Sequence, residues 1–415
     1  MQTSLPDDFL ATEKGREADS ILRACVHCGF CTATCPTYQV LGNELDSPRG
    51  RIYLIKAMLE GEAVTEITRT HLDRCLSCQA CETTCPSGVD YHRLLDIGRA
   101  EVEAQVPRPV LQRGLRWLLR QIMPYRQRFT PLLRIGQFFR ALLPSVLKQH
   151  VPKSRDVLQV PRGEHSRKII LVQGCVQPGL SPNTNAATVQ VLDRLGIEAL
   201  TVSAESCCGA LSYHLNAQAE GLDFARRNID AWWPLIEAGV EAIVMTASGC
   251  SNFVQDYDRL LKTDPDYAPR AEKVVGLLKD ISEVLAAEDL APLAVSSIER
   301  ISWHCPCTAQ HGQKLDQPTR EVLGRLGFEL PVVTDAHLCC GSAGTNSLLQ
   351  PAIAEALRSR KLDALQKSEP DRIVTANIGC QIHLAAGTET PVVHWIELIA
   401  RSMGSTLHEV KTEAN

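Results

Sequence analysis

The alternation of apolar and polar positions divides the chain into a helical first part, a proline-broken basic stretch and two α/β copies. An apolar run opens each copy, Ile169-Ile170-Leu171-Val172 and then Ile301-Ser302-Trp303. A helical stretch follows, ending in Leu192-Asp193-Arg194-Leu195-Gly196 in the first copy and Leu323-Gly324-Arg325-Leu326-Gly327 in the second. The closing glycine suits a helix C-cap. A β-rich run then leads to a double cysteine, a long helix follows (Ala217 to Ala238; Pro351 to Gln366), and a strand comes next (Ala242 to Met245; Arg372 to Thr375). Alternation of strand and helix periods in this order predicts α/β units with parallel strands, whose sites form where loops leave the strand ends.

The middle stretch, residues 104–155, has no Asp or Glu but nine Arg and two Lys, interleaved with Leu, Trp117, Phe129, Phe138 and Phe139. Prolines 107, 109, 124, 131 and 144 cut it into short helices. Four parts follow from these patterns: residues 1–103, a basic helical linker over 104–160, a first copy over 161–295 and a second over 296–415. Arg113, Arg116 and Arg120, interleaved with apolar residues, suit an anionic membrane surface or a partner subunit. The plainer reading packs these helices against the C-terminal domain.

A hydrophobic fraction of 44% and a charged fraction of 22% are those of an ordinary globular protein. The net charge of -5 carries no nucleic-acid footprint. No run of 18 apolar residues occurs, so no membrane-spanning helix is expected. Seventeen cysteines change the picture. The N-terminal stretch carries Asp7, Asp8, Glu13, Glu17 and Asp19 where a secretory signal needs basic and then apolar residues, so a reducing, cytoplasmic setting is expected. There, regularly spaced thiols read as metal ligands.

Eight cysteines lie between Cys25 and Cys85, in two runs: Cys25, Cys28, Cys31, Cys35-Pro36 and Cys75, Cys78, Cys81, Cys85-Pro86. Both match the C-x2-C-x2-C-x3-C-P pattern of two-cluster ferredoxins. Three cysteines at three-residue intervals wrap one cluster, and the fourth, redirected by proline, points to the other. One [4Fe-4S] cluster is therefore expected on Cys25, Cys28, Cys31 and Cys85, and a second on Cys75, Cys78, Cys81 and Cys35. Zinc, usually held by paired C-x-x-C units, fits this grammar poorly. Arg49 and Arg51, at the start of a helix opened by Pro48, either hydrogen-bond cluster sulfurs or form a solvated helix end. His27 and His92 read as surface or packing residues. The expected fold class is α+β and multidomain, a helical ferredoxin-like domain with two [4Fe-4S] clusters followed by a duplicated α/β domain.

The other nine cysteines follow a second grammar. Laying Cys175 on Cys305, Cys207-Cys208-Gly209 on Cys339-Cys340-Gly341 and Cys250 on Cys380 yields two sets of four. Each set suits a further iron–sulfur cluster or zinc, and buried thiols without metal are the bland alternative. On this alignment Cys307 has no counterpart in the first copy and is not expected to be a ligand.

These copies are similar to the CCG domains of heterodisulfide reductase subunits, of the anaerobic glycerol-3-phosphate dehydrogenase iron–sulfur subunit and of lactate-utilisation proteins. In the heterodisulfide reductase branch each copy ends in C-x-x-C. Here Ala247 and Asn377 replace the first member of that pair, which argues against that branch's disulfide-reducing cluster. The segments from Glu17 to Tyr38, Asp46 to Lys56 and Cys85 to Arg99 resemble, more closely, the iron–sulfur subunits of bacterial glycolate oxidases, which are dehydrogenases. The resemblance runs nearly end to end. It implies an FAD-containing partner subunit that oxidises glycolate to glyoxylate. This chain would then carry electrons toward a membrane acceptor, a quinone, from the cytoplasmic face of the inner membrane. The chain has no G-x-G-x-x-G fingerprint, so flavin or NAD belongs on a partner and no catalytic acid or base is expected here. The competing readings are the same relay for a lactate or glycerol 3-phosphate flavoprotein, a disulfide reductase, and a zinc-bearing scaffold.

Overall fold

In the computed structural model, residues 1–144, 148, 151–153, 157–161, 163–296 and 299–403 are described; Arg155 and residues 404–415 of the expected parts lie outside them. The first part is built of helices whose starts are capped by short polar side chains. Thr12 Oγ1 accepts from Gly15 N at 2.9 Å ahead of helix Glu13–Ala24, and Ser47 Oγ accepts from Gly50 N at 3.0 Å ahead of Pro48–Leu59. With Glu66–Asp73 and Tyr91–Gln105, these helices enclose a core in which Leu22, Ile55, Leu72, Leu94 and Leu95 are fully buried.

The first α/β copy is a parallel sheet in the order β2-β1-β3-β4, made of β1 Arg167–Leu171, β2 Ile197–Leu200, β3 Ile243–Met245 and β4 Leu278–Asp280. The second is parallel too, β5 Ile301–His304, β6 Arg372–Thr375 and β7 Val392–His394, in the order β5-β6-β7. Its β-rich run before the double cysteine does not form a strand, and Pro331, which has no N–H to offer a ladder, stands in that run. The copies share one apolar core, with Ile169, Leu171 and Val244 of the first packed with Trp303, Val374 and Trp395 of the second. Ser181 and Thr184 of the first copy donate to Glu397 Oε1 of the second at 2.9 and 2.7 Å, so the buried carboxylate is hydrogen-bonded across the junction.

The linker forms helices Val110–Ile122 and Arg126–Phe138, but with the opposite facing from that expected of a basic surface. Arg116 pairs with Asp73 at 3.3 Å and Arg120 with Glu220 at 3.2 Å, while Arg126 reaches Glu205 at 3.0 Å. The acids missing from the linker are supplied by the domains on either side, and they turn the arginines inward. Leu111 and Phe138 are left 85% and 82% exposed, and Trp117 and Leu118 are exposed as well. None of the described helices is long and apolar enough to cross a membrane.

At the end of β4, Asp280 caps helix Ile281–Ala286, accepting at Oδ1 from Ser282 N at 2.8 Å and Ser282 Oγ at 2.7 Å. Its Oδ2 is buried without a partner, and burial pushes the carboxyl up to about 6 against the opposing pull of the Ser282 bonds. A folded-state value above the unfolded one, about 3.9, means stability that is complete below about pH 4 and lost as pH rises through about 6. Asp280→Asn keeps the capping oxygen and cannot ionise. Its unfolding midpoint should therefore fall less than that of the wild type between about pH 5 and pH 8, a difference on the order of 2 kcal/mol at the upper end. Anaerobic thermal denaturation across that range checks this; parallel curves for the two proteins would show that Asp280 does not titrate there.

Candidate functional site

The two ferredoxin-type loops follow the same backbone path. His27 and Gly29 in one have φ of 59° and 88°, and Ser77 and Gln79 in the other have 50° and 59°. Left-handed backbone costs a non-glycine residue about 1 kcal/mol, and here it doubles each loop back beneath its thiols. The short helices that close the loops, Phe30–Thr34 and Ala80–Thr84, lie against each other, with Thr34 Oγ1 donating to Ala80 O at 3.2 Å. That contact delivers the cysteine after each helix to the opposite loop. Cys85 lines one small cavity with Cys25, Cys28 and Cys31, while Cys35 adjoins Cys75, Cys78 and Cys81. The two runs are thus brought together, with Cys81 also lining the first cavity and Cys35 also beside Cys31.

Around the second group the protein supplies cations and hydrogen bonds. Arg51 is fully buried, with Nε donating to His71 O at 2.7 Å and Nη2 to Thr37 Oγ1 at 3.1 Å, and lies 3.5 Å from Asp46. Burial lowers its proton affinity, but Cys75, Tyr91, Cys35 and Asp46 around it more than offset this, so the guanidinium stays charged. Tyr91 Oη donates to Cys75 Sγ at 3.6 Å, and Thr37 Oγ1 lies 3.3 Å from Cys35 Sγ. Arg51 is no solvated helix end. Arg49 is partly exposed, pairs with Glu44 at 2.5 Å and, through its backbone N–H, meets the Cys31 thiol, which burial pushes up to about 11. His27 is exposed at the rim of the cavity lined by Cys25, Cys28 and Cys31, and His92 hydrogen-bonds Glu82 at 2.9 Å.

In the first copy, Cys175 follows β1, Cys207-Cys208 precede helix Ala210–His214, and Cys250 sits on helix Ser248–Val254. Cys207 reaches Cys175 and Cys208, and Cys208 reaches Cys250, so the four expected thiols form one chain of contacts. Cys250 is held well above the ordinary thiol range by Cys208 beside it and by burial. In the second copy the structure departs from the expected set. Cys307, at 3.8 Å from Cys339 Sγ, joins Cys339, Cys340 and Cys380, whereas the Cys305 thiol turns away to hydrogen-bond Asp316. The reason is register. Ile169 and Ile301 begin corresponding strand runs, and six residues on stand Cys175 and Cys307. Aligning on strands rather than on the first cysteine was the signal that finds Cys307.

The glycine after each double cysteine has a steric role. Gly209 and Gly341 have φ of 96° and 92°, and a Cβ there would lie 2.4 Å from Gly221 O and 2.6 Å from Ala354 O. Helices Gln218–Glu237 and Pro351–Gln366 thus press directly on the cysteine loops. Asn377, standing where the other branch has cysteine, caps its helix by accepting from Gly379 N at 2.8 Å and donates to Ser248 Oγ of the first copy at 3.2 Å.

Three of the four groups open on one cavity of about 590 Å³, lined by Cys75, by Cys175, Cys207, Cys208 and Cys250, and by Cys307, Cys339 and Cys380. Leu118, Leu119, Ile122, Met123 and Phe129 of the linker wall it on one side. Cys78 packs in one apolar cluster with Cys339, and Cys307 lies against it, which makes the second ferredoxin group and the second copy neighbours.

A family model described as a 4Fe-4S dicluster domain matches residues 21–89, and one described as a cysteine-rich domain matches 169–255 and again 301–385. The glycolate oxidase iron-sulfur subunit of Escherichia coli (strain K12) is 55% identical over 405 residues, which cover 97% of this chain and 99% of that protein. The chain belongs to the family of glycolate oxidase iron-sulfur subunits. A second member, the probable glycolate oxidase iron-sulfur subunit of Bacillus subtilis (strain 168), is 31% identical over 94% of this chain and 96% of its own. Lactate utilization protein A of Bacillus cereus (strain G9842) is 27% identical over 56% of this chain and 98% of its own. A hypothetical protein from Helicobacter pylori shares the fold, with a TM-score of 0.53 at 11% identity, over 96% of this chain and 75% of that one. As a member of the glycolate oxidase iron-sulfur subunit family, with a dicluster domain and clustered thiols, the chain carries iron–sulfur clusters and has an electron-transfer role.

Arg51 places one buried positive charge beside Cys35 and Cys75. Arg51→Met should shift the midpoint of one cluster negative by on the order of 100 mV, while Arg51→Lys, which keeps the charge, should shift it far less. EPR-monitored redox titration distinguishes the two. Equal midpoints in both variants would mean that the guanidinium is a purely structural tie to His71 and Thr37.

Proposed function

We propose that this chain is the electron-transfer subunit of a glycolate dehydrogenase, taking electrons from an FAD-containing partner and passing them through a ferredoxin-like domain to a membrane quinone. One [4Fe-4S] cluster is held by Cys25, Cys28, Cys31 and Cys85, the second by Cys75, Cys78, Cys81 and Cys35. Cys175, Cys207, Cys208 and Cys250 hold a further metal centre, iron–sulfur or zinc, and Cys307, Cys339, Cys340 and Cys380 another. When bound, such clusters supply one-electron steps that split the flavin's electron pair. The observation that carries the relay is the packing of Cys78 against Cys339 and Cys307, which puts a ferredoxin group and a cysteine-rich copy in contact. Electron input falls to the first group, whose Cys28 is exposed and flanked by Val26 and Phe30, 67% and 61% exposed. The choice of glycolate rests on the full-length relatives.

Mixing the anaerobic complex with glycolate should raise the EPR signal of reduced clusters, and this chain without its flavoprotein should give none. Cys78→Ser should abolish one of two interacting [4Fe-4S] signals and slow quinone reduction at least tenfold. Reduction by lactate but not by glycolate would move the relay to another dehydrogenase, and normal turnover in Cys78→Ser would remove the second cluster from the path.

The membrane contact in this reading is the outward apolar face of the linker, not its arginines. Leu111, Trp117 and Phe138 are large apolar side chains left exposed there, of the kind that lies at a lipid interface or under a partner. Leu111→Glu combined with Phe138→Glu should cut co-sedimentation of the complex with anionic vesicles at least threefold while leaving the flavoprotein bound. Arg116→Glu should instead loosen the linker from Asp73. Undiminished co-sedimentation of the double variant sinks the membrane assignment; loss of the flavoprotein reassigns the face to that subunit.

A further inference from the structure

The two cysteine-rich copies differ in one buried side chain next to their thiols. With Ile169 and Ile301 in register, the position after Leu171 in the first copy is Val172, an apolar core residue. Its counterpart in the second copy is His304, at the end of β5. His304 is 2% exposed, and neither Nδ1 nor Nε2 has a hydrogen-bond partner. Two unpaired ring nitrogens in a core are costly and call for an explanation. A ring nitrogen of His304 and the sulfurs of Cys340 and Cys380 all lie within 4.8 Å of one another, and this is the group of three metal-ligating side chains found among the described residues.

We propose that His304 supplies an imidazole nitrogen ligand to the metal of the second cysteine-rich copy, making that site mixed thiolate–imidazole while the first is all thiolate. The inference rests on the reading that the copies hold metal. Nitrogen and sulfur together suit both an iron atom of a cluster and a zinc ion, and a neutral imidazole adds a donor beside the thiolates without adding charge. The two copies would then differ in their donor sets while carrying the same number of thiolates.

The test uses the anaerobically purified full-length chain, with iron and zinc counted first. Pulsed EPR compares protein carrying ordinary and nitrogen-15 histidine, and zinc-edge X-ray absorption is measured on the same protein. An iron site should show a histidine nitrogen coupling that changes with the isotope. A zinc site should show nitrogen at about 2.0 Å beside sulfur at about 2.3 Å. His304→Phe fills the same volume without a donor; it should keep the ferredoxin irons and the melting temperature yet lose one centre to a chelator that leaves the wild type intact. His304→Cys should retain that centre. Metal in the copies with no nitrogen signal, or a His304→Phe protein with unchanged metal and spectra, overturns the ligand. A wild-type chain with about eight irons and no zinc overturns the reading beneath it as well. Should His304→Phe fail to fold, the spectra of the wild type decide.

Discussion

A thiol is easy to bury and hard to ionise once buried, and this protein gathers its thiols in groups that are buried or half-buried everywhere but at Cys28. Desolvation alone raises the proton affinity of Cys31, Cys78 and Cys81, and each neighbour raises it further. Cations and hydrogen-bond donors held beside the thiols offset that cost. Much else follows from it. Arg51 is kept charged inside the first domain, Tyr91 and Thr37 aim hydroxyls at Cys75 and Cys35, and Lys361 is buried near Cys339 and Cys340 while bonding Asp335 O at 2.8 Å.

The same electrostatics organises the joints between domains. Linker arginines that read as a basic surface are consumed by Asp73, Glu205 and Glu220, carboxylates that would otherwise be poorly solvated at the domain boundary. Further contacts tie the first domain to both copies: Thr83 to His311 at 2.9 Å, Asn216 to Glu103 at 3.1 Å and Arg360 to Gln39 at 2.6 Å. A chain that read as beads on a basic string is folded around one shared cavity.

What was legible in the sequence was whatever depends on local spacing. The helix-ending glycines Gly196 and Gly327 have φ of 72° and 89°, as C-caps require, and the four strand runs given bounds appear within a residue or two of them, while the run before Cys339 forms no strand. The meeting of the two cysteine runs was readable too, from the pattern they share and the proline after each fourth cysteine. Properties that depend on distant partners were not. No helical pattern says which face of residues 110–122 meets an acid elsewhere. Cys305 and Cys307 are separated by one proline, and choosing between them takes the strand register, not the residue type. His304 carries no signal in the sequence, because only the fold brings it to Cys340 and Cys380, more than thirty residues away.

The contact of Gly209 and Gly341 with the helices behind them bears on electron transfer itself. The speed of a hop depends on how far the atoms around a centre move when its charge changes, the reorganisation energy. A cysteine pair on a free loop would relax with every electron. Here the glycine beside each pair lies close against the backbone of the helix behind it, which limits how far the loop can shift. The smallest residue in the motif thereby stiffens the site.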